Sequence, residues 1–274
     1  MTRAEIIEQV RSKASFLCVG LDTDLTKIPE SLRGSSDPIF EFNKAIIDAT
    51  QDLCVSFKVN VAFYEFLGIE GLEAMRRTLE YIPDEHFVIA DAKRGDIGNT
   101  STMYAKAFFE TYNSDAITLS PYMGEDSIRP FLDFKDKWAI VLALTSNKGA
   151  EDFQLQQVGE NGRALYELVL ERVASWGTRD NTMFVAGATK GEYFKNIRAM
   201  VPDHFLLVPG VGAQGGDLHS ICENGLNSDV SLLVNSSRGI IYSGHGNDFA
   251  KAARQAAGEL QAAMEKELRL FGLL

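Results

Sequence analysis

Cysteine and histidine are both sparse in this chain, and each scarcity narrows the options. The 274 residues include three cysteines, Cys18, Cys54 and Cys222, too few for a disulfide framework. Cys18 and Cys54 lie inside the apolar runs FLCVG and LCVSF, where a small buried hydrophobe is the expected role. The four histidines are scattered, without H-E-x-x-H or a similar spacing. No metal site is expected, and no cofactor-binding signature is visible. No apolar stretch approaches the ~20 residues of a membrane span, and the opening MTRAEIIEQVRSKASF has no apolar signal core. Positive charge is short. Lys and Arg number 27 against 38 Asp and Glu, and the net charge of −11 argues against general nucleic-acid binding. It leaves room for a local basic pocket. Linkers, low-complexity tracts and repeats are also missing. The expectation is a soluble, cytoplasmic protein of one domain, residues 1–274, without nucleic-acid or membrane partners.

Apolar residues are plentiful. They make up 45% of the chain against 24% charged, enough for a large core without staples. Short β-rich apolar runs recur from end to end: FLCVGLD (16–22), VSFKVNV (55–61), FVIADAK (87–93), AITLSP (116–121), WAIVLALT (138–145), MFVAGAT (183–189), FLLVPGV (205–211) and LLVNSS (232–237). Near-continuous apolar strands suggest burial on both faces, as in parallel sheets. Amphipathic segments lie between them. DPIFEFNKAIIDATQDL sets Phe40, Phe42, Ala45, Ile46 and Ala49 at helical spacing behind the start signals Asp37 and Pro38. GIEGLEAMRRTLEYI, NGRALYELVLERVASW and DFAKAARQAAGELQAAMEKEL read the same way. Strand and helix alternating in this way predict an α/β fold, a parallel (β/α)8 TIM barrel. A doubly wound open sheet is the alternative.

In such barrels the chemistry sits at the C-terminal strand ends. Polar residues collect at those ends here. Strand one runs into Asp22, strand two carries Lys58 and Asn60, and strand three ends in DAKRGD. Asp91 and Lys93 are two apart on a strand, so both point to one face, with Lys58 on the neighbouring strand. Buried charges are costly unless paired. The cluster is therefore either an ion network sealing the barrel or a lysine held charged by carboxylates for catalysis. PGVGAQGGD and SSRGI, with Gln214 and Arg238, read as a phosphate cradle: glycines let backbone N–H groups approach an anion, and Arg238 adds a forked cation. Gly187 and Gly191 in GATKGEYF read as turn residues. In TSNKGAEDFQ, Ser146 and Asn147 either meet the edge of a heterocycle or cap a helix.

DAKRGDIGNT, with Asp91-x-Lys93-x-x-Asp96, resembles orotidine 5′-phosphate decarboxylases. VGLDTD, FKVNVAFYE, LTSNKG, PGVGAQGGD and SSRG fall in that family's order along nearly all eight strands. The resemblance implies a cofactor-free decarboxylation of orotidine 5′-monophosphate to uridine 5′-monophosphate. It implies Lys93 as proton donor, Asp91 beside the substrate carboxylate, and Lys58 bridging Asp91 and the ribose. Asp22 would bind a ribose hydroxyl, Ser146 the pyrimidine, and Gln214 and Arg238 the phosphate. Asn60 stands where one branch of the family has histidine, and it too is a candidate for substrate binding. Asp96 and Thr100 would reach across a homodimer interface. The length of 147–157 and of the connection 176–181 points to the longer bacterial branch. Three other readings stay open. One is a related sugar-phosphate decarboxylase or lyase, since these share Asp-x-Lys-x-x-Asp. Another is a Schiff-base enzyme, although flanking carboxylates disfavour the neutral lysine it needs. The third is a non-catalytic nucleotide-phosphate-binding protein.

Overall fold

A computed structural model describes residues 1–160, 162–211 and 217–274, with Thr189 and Lys190 described by their backbone alone. Eight parallel strands form the core: β1 (Leu17–Gly20), β2 (Ser56–Asn60), β3 (Phe87–Arg94), β4 (Ala116–Leu119), β5 (Trp138–Leu144), β6 (Thr182–Ala186), β7 (Phe205–Pro209) and β8 (Leu232–Ser236). Each pairs with the next in chain order, and β8 returns to β1 with Leu17 opposite Val234. The sheet is closed, which rules out the doubly wound alternative. The expected strands are all present. Several stop short of the predicted ends, because Asp22, Pro121, Thr145 and Gly210 leave the ladder for the mouth loops.

The apolar runs make sense in this arrangement. One face of each strand fills the barrel and the other packs under the helices, so β1, β4 and β6 are buried at every position. Trp138, Phe87 and Phe205 pack edge to face at one end of this interior. All three cysteines are buried and free.

The helices form where the sequence signals stand. Asp37 caps Pro38–Thr50 by accepting from the Phe40 N–H, with proline in the first turn. Gly68–Tyr81 and Phe249–Leu270 fit their predicted segments. The expected helix over 161–176 begins only at Leu165, because Arg163–Ala164 instead pairs antiparallel with Gln157–Val158. The N-terminal segment forms the helix Arg3–Lys13, closed at its start by a Thr2–Glu5 capping box. No described helix is long and apolar enough to cross a membrane.

Candidate active site

Four charged side chains meet at the C-terminal mouth of the barrel. The ladder sets Gly20 beside Lys58 and Asn60 beside Asp91, so polar residues from three strands share one level. Lys58, 4% exposed, donates to Asp22 and to Asp91, each at 3.1 Å. Lys93 donates to the other oxygen of Asp91 at 2.5 Å. The order Asp22–Lys58–Asp91–Lys93 alternates in sign. Burial works against the Lys58 ammonium, but Asp22 and Asp91 outweigh it and hold the pKa above the usual lysine value. Burial likewise opposes the Asp91 carboxylate, yet Lys58 and Lys93 prevail and draw its pKa down to about 2. Both groups are therefore ionised across the physiological range.

Lys93 reaches this position by a route the sequence did not show. It does not continue a regular strand: its φ is +46°, and the β3–β4 pairing jumps from Ala90–Ile117 to Arg94–Leu119. Three residues of β3 thus face the single residue Thr118. The bulge turns the Lys93 side chain back to Asp91, which simple two-residue alternation would have credited to the strand. Thr118 fills the gap. It accepts from the Lys93 N–H at 2.9 Å and donates to Asp91 at 2.9 Å.

Other charges of DAKRGD have different work. Arg94 pairs with Glu65 and lies over the rings of Tyr104 and Phe108, a packing role. Asp96 accepts from the Ile97 N–H at 2.8 Å, and its carbonyl takes the Ser101 hydroxyl. Among the described residues no ion pair joins Asp96 to Lys93, so within one chain Asp91 alone holds the lysine. Thr100 is exposed on the helix Gly98–Lys106 and is not among the residues that line the two cavities at the mouth.

Two adjoining cavities open at this level and share Lys58, Asp91, Pro209 and Asn235. One, of about 150 Å³, adds Asp22, Asn60, Ser237 and Arg238. The other, of about 290 Å³, adds Lys93, Thr118, Thr145 and Ser146. Asp22, Asn60 and Arg238 therefore gather at one side and Lys93 and Ser146 at the other. Gln214 lies outside the described residues. Two glycines keep these walls close. A Cβ on Gly20 would fall 1.8 Å from the Ser237 hydroxyl, and one on Gly187 would fall 2.6 Å from the Ser146 nitrogen. A larger cavity of about 690 Å³ lies against β5 and Leu165–Trp176, but its lining is mostly apolar, with Arg172 the one charged side chain among the described residues. The converging charges, more than volume, single out the mouth.

Sequence reasoning missed three supporting groups. Thr118 hides in a β-rich run, AITLSP. Asn235 lines both cavities, and its place at the end of LLVNSS was the available signal. Tyr242 follows the short helix Arg238–Ile241. Its hydroxyl donates to the Asp22 carbonyl at 3.0 Å and accepts from the Asp24 N–H at 2.7 Å. Burial pushes this phenol up to about 12, so it stays a donor. It ties the Arg238 segment to the loop bearing Asp22.

Comparison with known proteins decides the family. The model of the "Orotidine 5′-phosphate decarboxylase / HUMPS family" matches residues 15–255. The chain belongs to this family. It is 57% identical over 267 residues to orotidine 5′-phosphate decarboxylase of Flavobacterium johnsoniae, covering 96% of this chain and 97% of that protein. It is 54% identical over 272 residues to the Bacteroides fragilis (strain YCH46) enzyme of the same name, covering 98% and 99%. Among solved structures, Leishmania donovani OMP decarboxylase superposes with a TM-score of 0.83 at 37% identity, covering 97% of this chain and 99% of that one. These relatives support the barrel and the family together.

Proposed function

We propose that this protein decarboxylates orotidine 5′-monophosphate to uridine 5′-monophosphate, a step of pyrimidine nucleotide synthesis. Membership of the family and relatives of that name over nearly the full chain support the activity. The observation that carries the mechanism is the alternating array Asp22–Lys58–Asp91–Lys93, set between the Arg238 side of the mouth and the Ser146 side.

The bond between the ring and its carboxylate breaks, carbon dioxide leaves, and the electron pair stays on the ring carbon. The Lys93 ammonium stabilises that charge and then gives it a proton. Asp91 holds the ammonium and stands beside the departing carboxylate. Lys58 bridges Asp91 and the ribose, Asp22 and Asn60 meet the sugar side, and Ser146 reads the ring. Arg238, with Gln214, grips the phosphate, whose binding energy is spent away from the reacting carbon. No cofactor enters this scheme. An ammonium already bound to a carboxylate is a poor nucleophile, which disfavours the Schiff-base reading.

The remaining features complete the proposal. The whole chain acts as one domain in the cytoplasm. It works as a homodimer in which Asp96 and Thr100, unused in their own chain's cavity, serve the partner's site. The test is turnover of orotidine 5′-monophosphate, followed by loss of pyrimidine absorbance with a chelator present. Activity that vanishes with the chelator and returns with magnesium would favour the sugar-phosphate branch of the family instead.

A further inference from the structure

We infer that Thr118 is a positioning residue for this reaction: its hydroxyl sets the Asp91 carboxylate and the Lys93 backbone together, and so aims the proton donor. The inference rests on the assignment of Asp91 and Lys93 to the chemistry. Thr118 is 1% exposed and lines the cavity that holds Lys93. It stands alone opposite Asp91, Ala92 and Lys93, between the pairs Ala90–Ile117 and Arg94–Leu119. The bulge takes the Lys93 N–H out of the regular ladder, and the Thr118 oxygen accepts it at 2.9 Å. A hydroxyl has one proton to give, and this one goes to Asp91 at 2.9 Å. The two bonds fix each other's direction.

Two consequences follow from the geometry. Lys93 sits at φ +46°, a backbone state that a residue with a side chain keeps only where neighbours hold it. The Thr118 hydroxyl is the group on the facing strand that holds it. The Lys93 side chain is 51% exposed, and Asp91 is its one ion-pair partner among the described residues. Its aim therefore depends on where Asp91 points. Lys58 fixes one carboxylate oxygen, and Thr118 fixes the other, the same oxygen that receives Lys93. Losing the hydroxyl frees the carboxylate to rotate about its Lys58 contact and relaxes the bulge beneath the lysine.

Thr118→Val keeps the shape and removes both bonds, while Thr118→Ser keeps both bonds. Valine is expected to lower kcat by about tenfold to a hundredfold. Affinity for uridine 5′-monophosphate, which lacks the reacting carboxylate, should stay within about twofold, and serine should restore kcat to within about threefold of wild type. Lys93→Ala, measured alongside, separates the two claims. If Lys93→Ala turns over normally, the assignment of the site fails. If Lys93→Ala is inactive and Thr118→Val is fully active, the positioning inference alone fails. A loss that serine does not recover, or one matched by an equal loss of product affinity, also overturns it. Should the valine protein not accumulate in folded form, Thr118→Ala takes its place with the same expectations.

Discussion

At the mouth of the barrel Lys58 is met by two carboxylates, Asp22 and Asp91, each at 3.1 Å. At the floor Arg198 is met by backbone carbonyls, and its neighbour Arg3, 7% exposed, by a carbonyl, the Ser231 hydroxyl and a carboxylate. Arg198 donates to the carbonyls of Gly225, Val201, Pro202, His204 and Ser231, and Arg3 to that of Arg179. One carboxylate, Asp229, reaches Arg3 at 3.2 Å. Carbonyls satisfy a guanidinium's geometry but do not cancel its charge. Burial and the neighbouring Arg3 therefore pull the Arg198 pKa below its usual value, while the carboxylates at the mouth push that of Lys58 up. Charge paired with charge stays available for a reaction, whereas charge absorbed by carbonyls stitches chain segments together. Mutations at the mouth should cost rate, and mutations at the floor should cost stability.

The largest effect tests the mouth. Lys93→Ala should lower kcat by about a thousandfold or more. Its side chain is half exposed, so thermal stability should change by about 1 kcal/mol or less. A Lys93→Ala protein that unfolds early but turns over normally would break the contrast. The same variant tests the dimer. Lys93→Ala mixed with Asp96→Ala, each inactive alone, should recover up to about one quarter of wild-type activity per total site under random subunit exchange. No recovery, with exchange shown independently, would place Asp96 in its own chain's site.

Arg238 comes next. Arg238→Ala should cost about 2–5 kcal/mol of transition-state binding for the phosphorylated substrate. A phosphate-free nucleoside should be nearly indifferent. Equal losses for both would remove Arg238 from phosphate binding. At the floor, Arg198→Met should lower stability by about 2–4 kcal/mol, because several carbonyls lose their donor at once. Its kcat should equal that of wild type at temperatures where it stays folded. A fall in kcat with stability intact would show that the two ends are coupled.

The mouth was far more legible in the sequence than the floor, and the reason is physical. Asp22, Lys58, Asp91, Lys93 and Arg238 stand where apolar strands end, so each breaks a pattern that burial imposes. Their strands could be read because both faces are covered. Thr118 broke no pattern: threonine is an ordinary strand former, and its task exists only because β3 bulges opposite it. Tyr242 acts on a loop more than 200 residues away in sequence, through backbone groups that any residue could supply. Arg3 and Arg198 look like solvated helix residues until the barrel bottom closes over them. The left-handed turn at Lys93 carries no glycine to announce it.

The smallest expected effect is a pH dependence rooted at the floor. Neither ring nitrogen of His204 has a hydrogen-bond partner among the described residues, and the ring packs near Phe184. Burial, then the charges of Arg3 and Arg198, draw its pKa from 6.5 down to about 4, against a weaker opposing pull from Asp203 and Asp180. Between those values the unfolded chain binds a proton that the folded chain refuses. The stability contributed by neutral His204 is thus fully present above 6.5 and is lost as pH falls to about 4. The loss should be on the order of 1–2 kcal/mol, partly screened because the ring is not fully buried. Asp91 titrates lower, between 3.8 and about 2, so the two windows do not overlap. His204→Phe keeps the backbone carbonyl that Arg198 uses and removes the titration. Thermal midpoints of wild type and variant, taken from pH 7 to pH 4, should therefore converge or cross as the wild type loses its share. Parallel curves across that window would clear His204 and leave the floor's acid sensitivity to another group. A slope that persists in His204→Phe but disappears in Arg198→Met would trace it to the arginine's own surroundings.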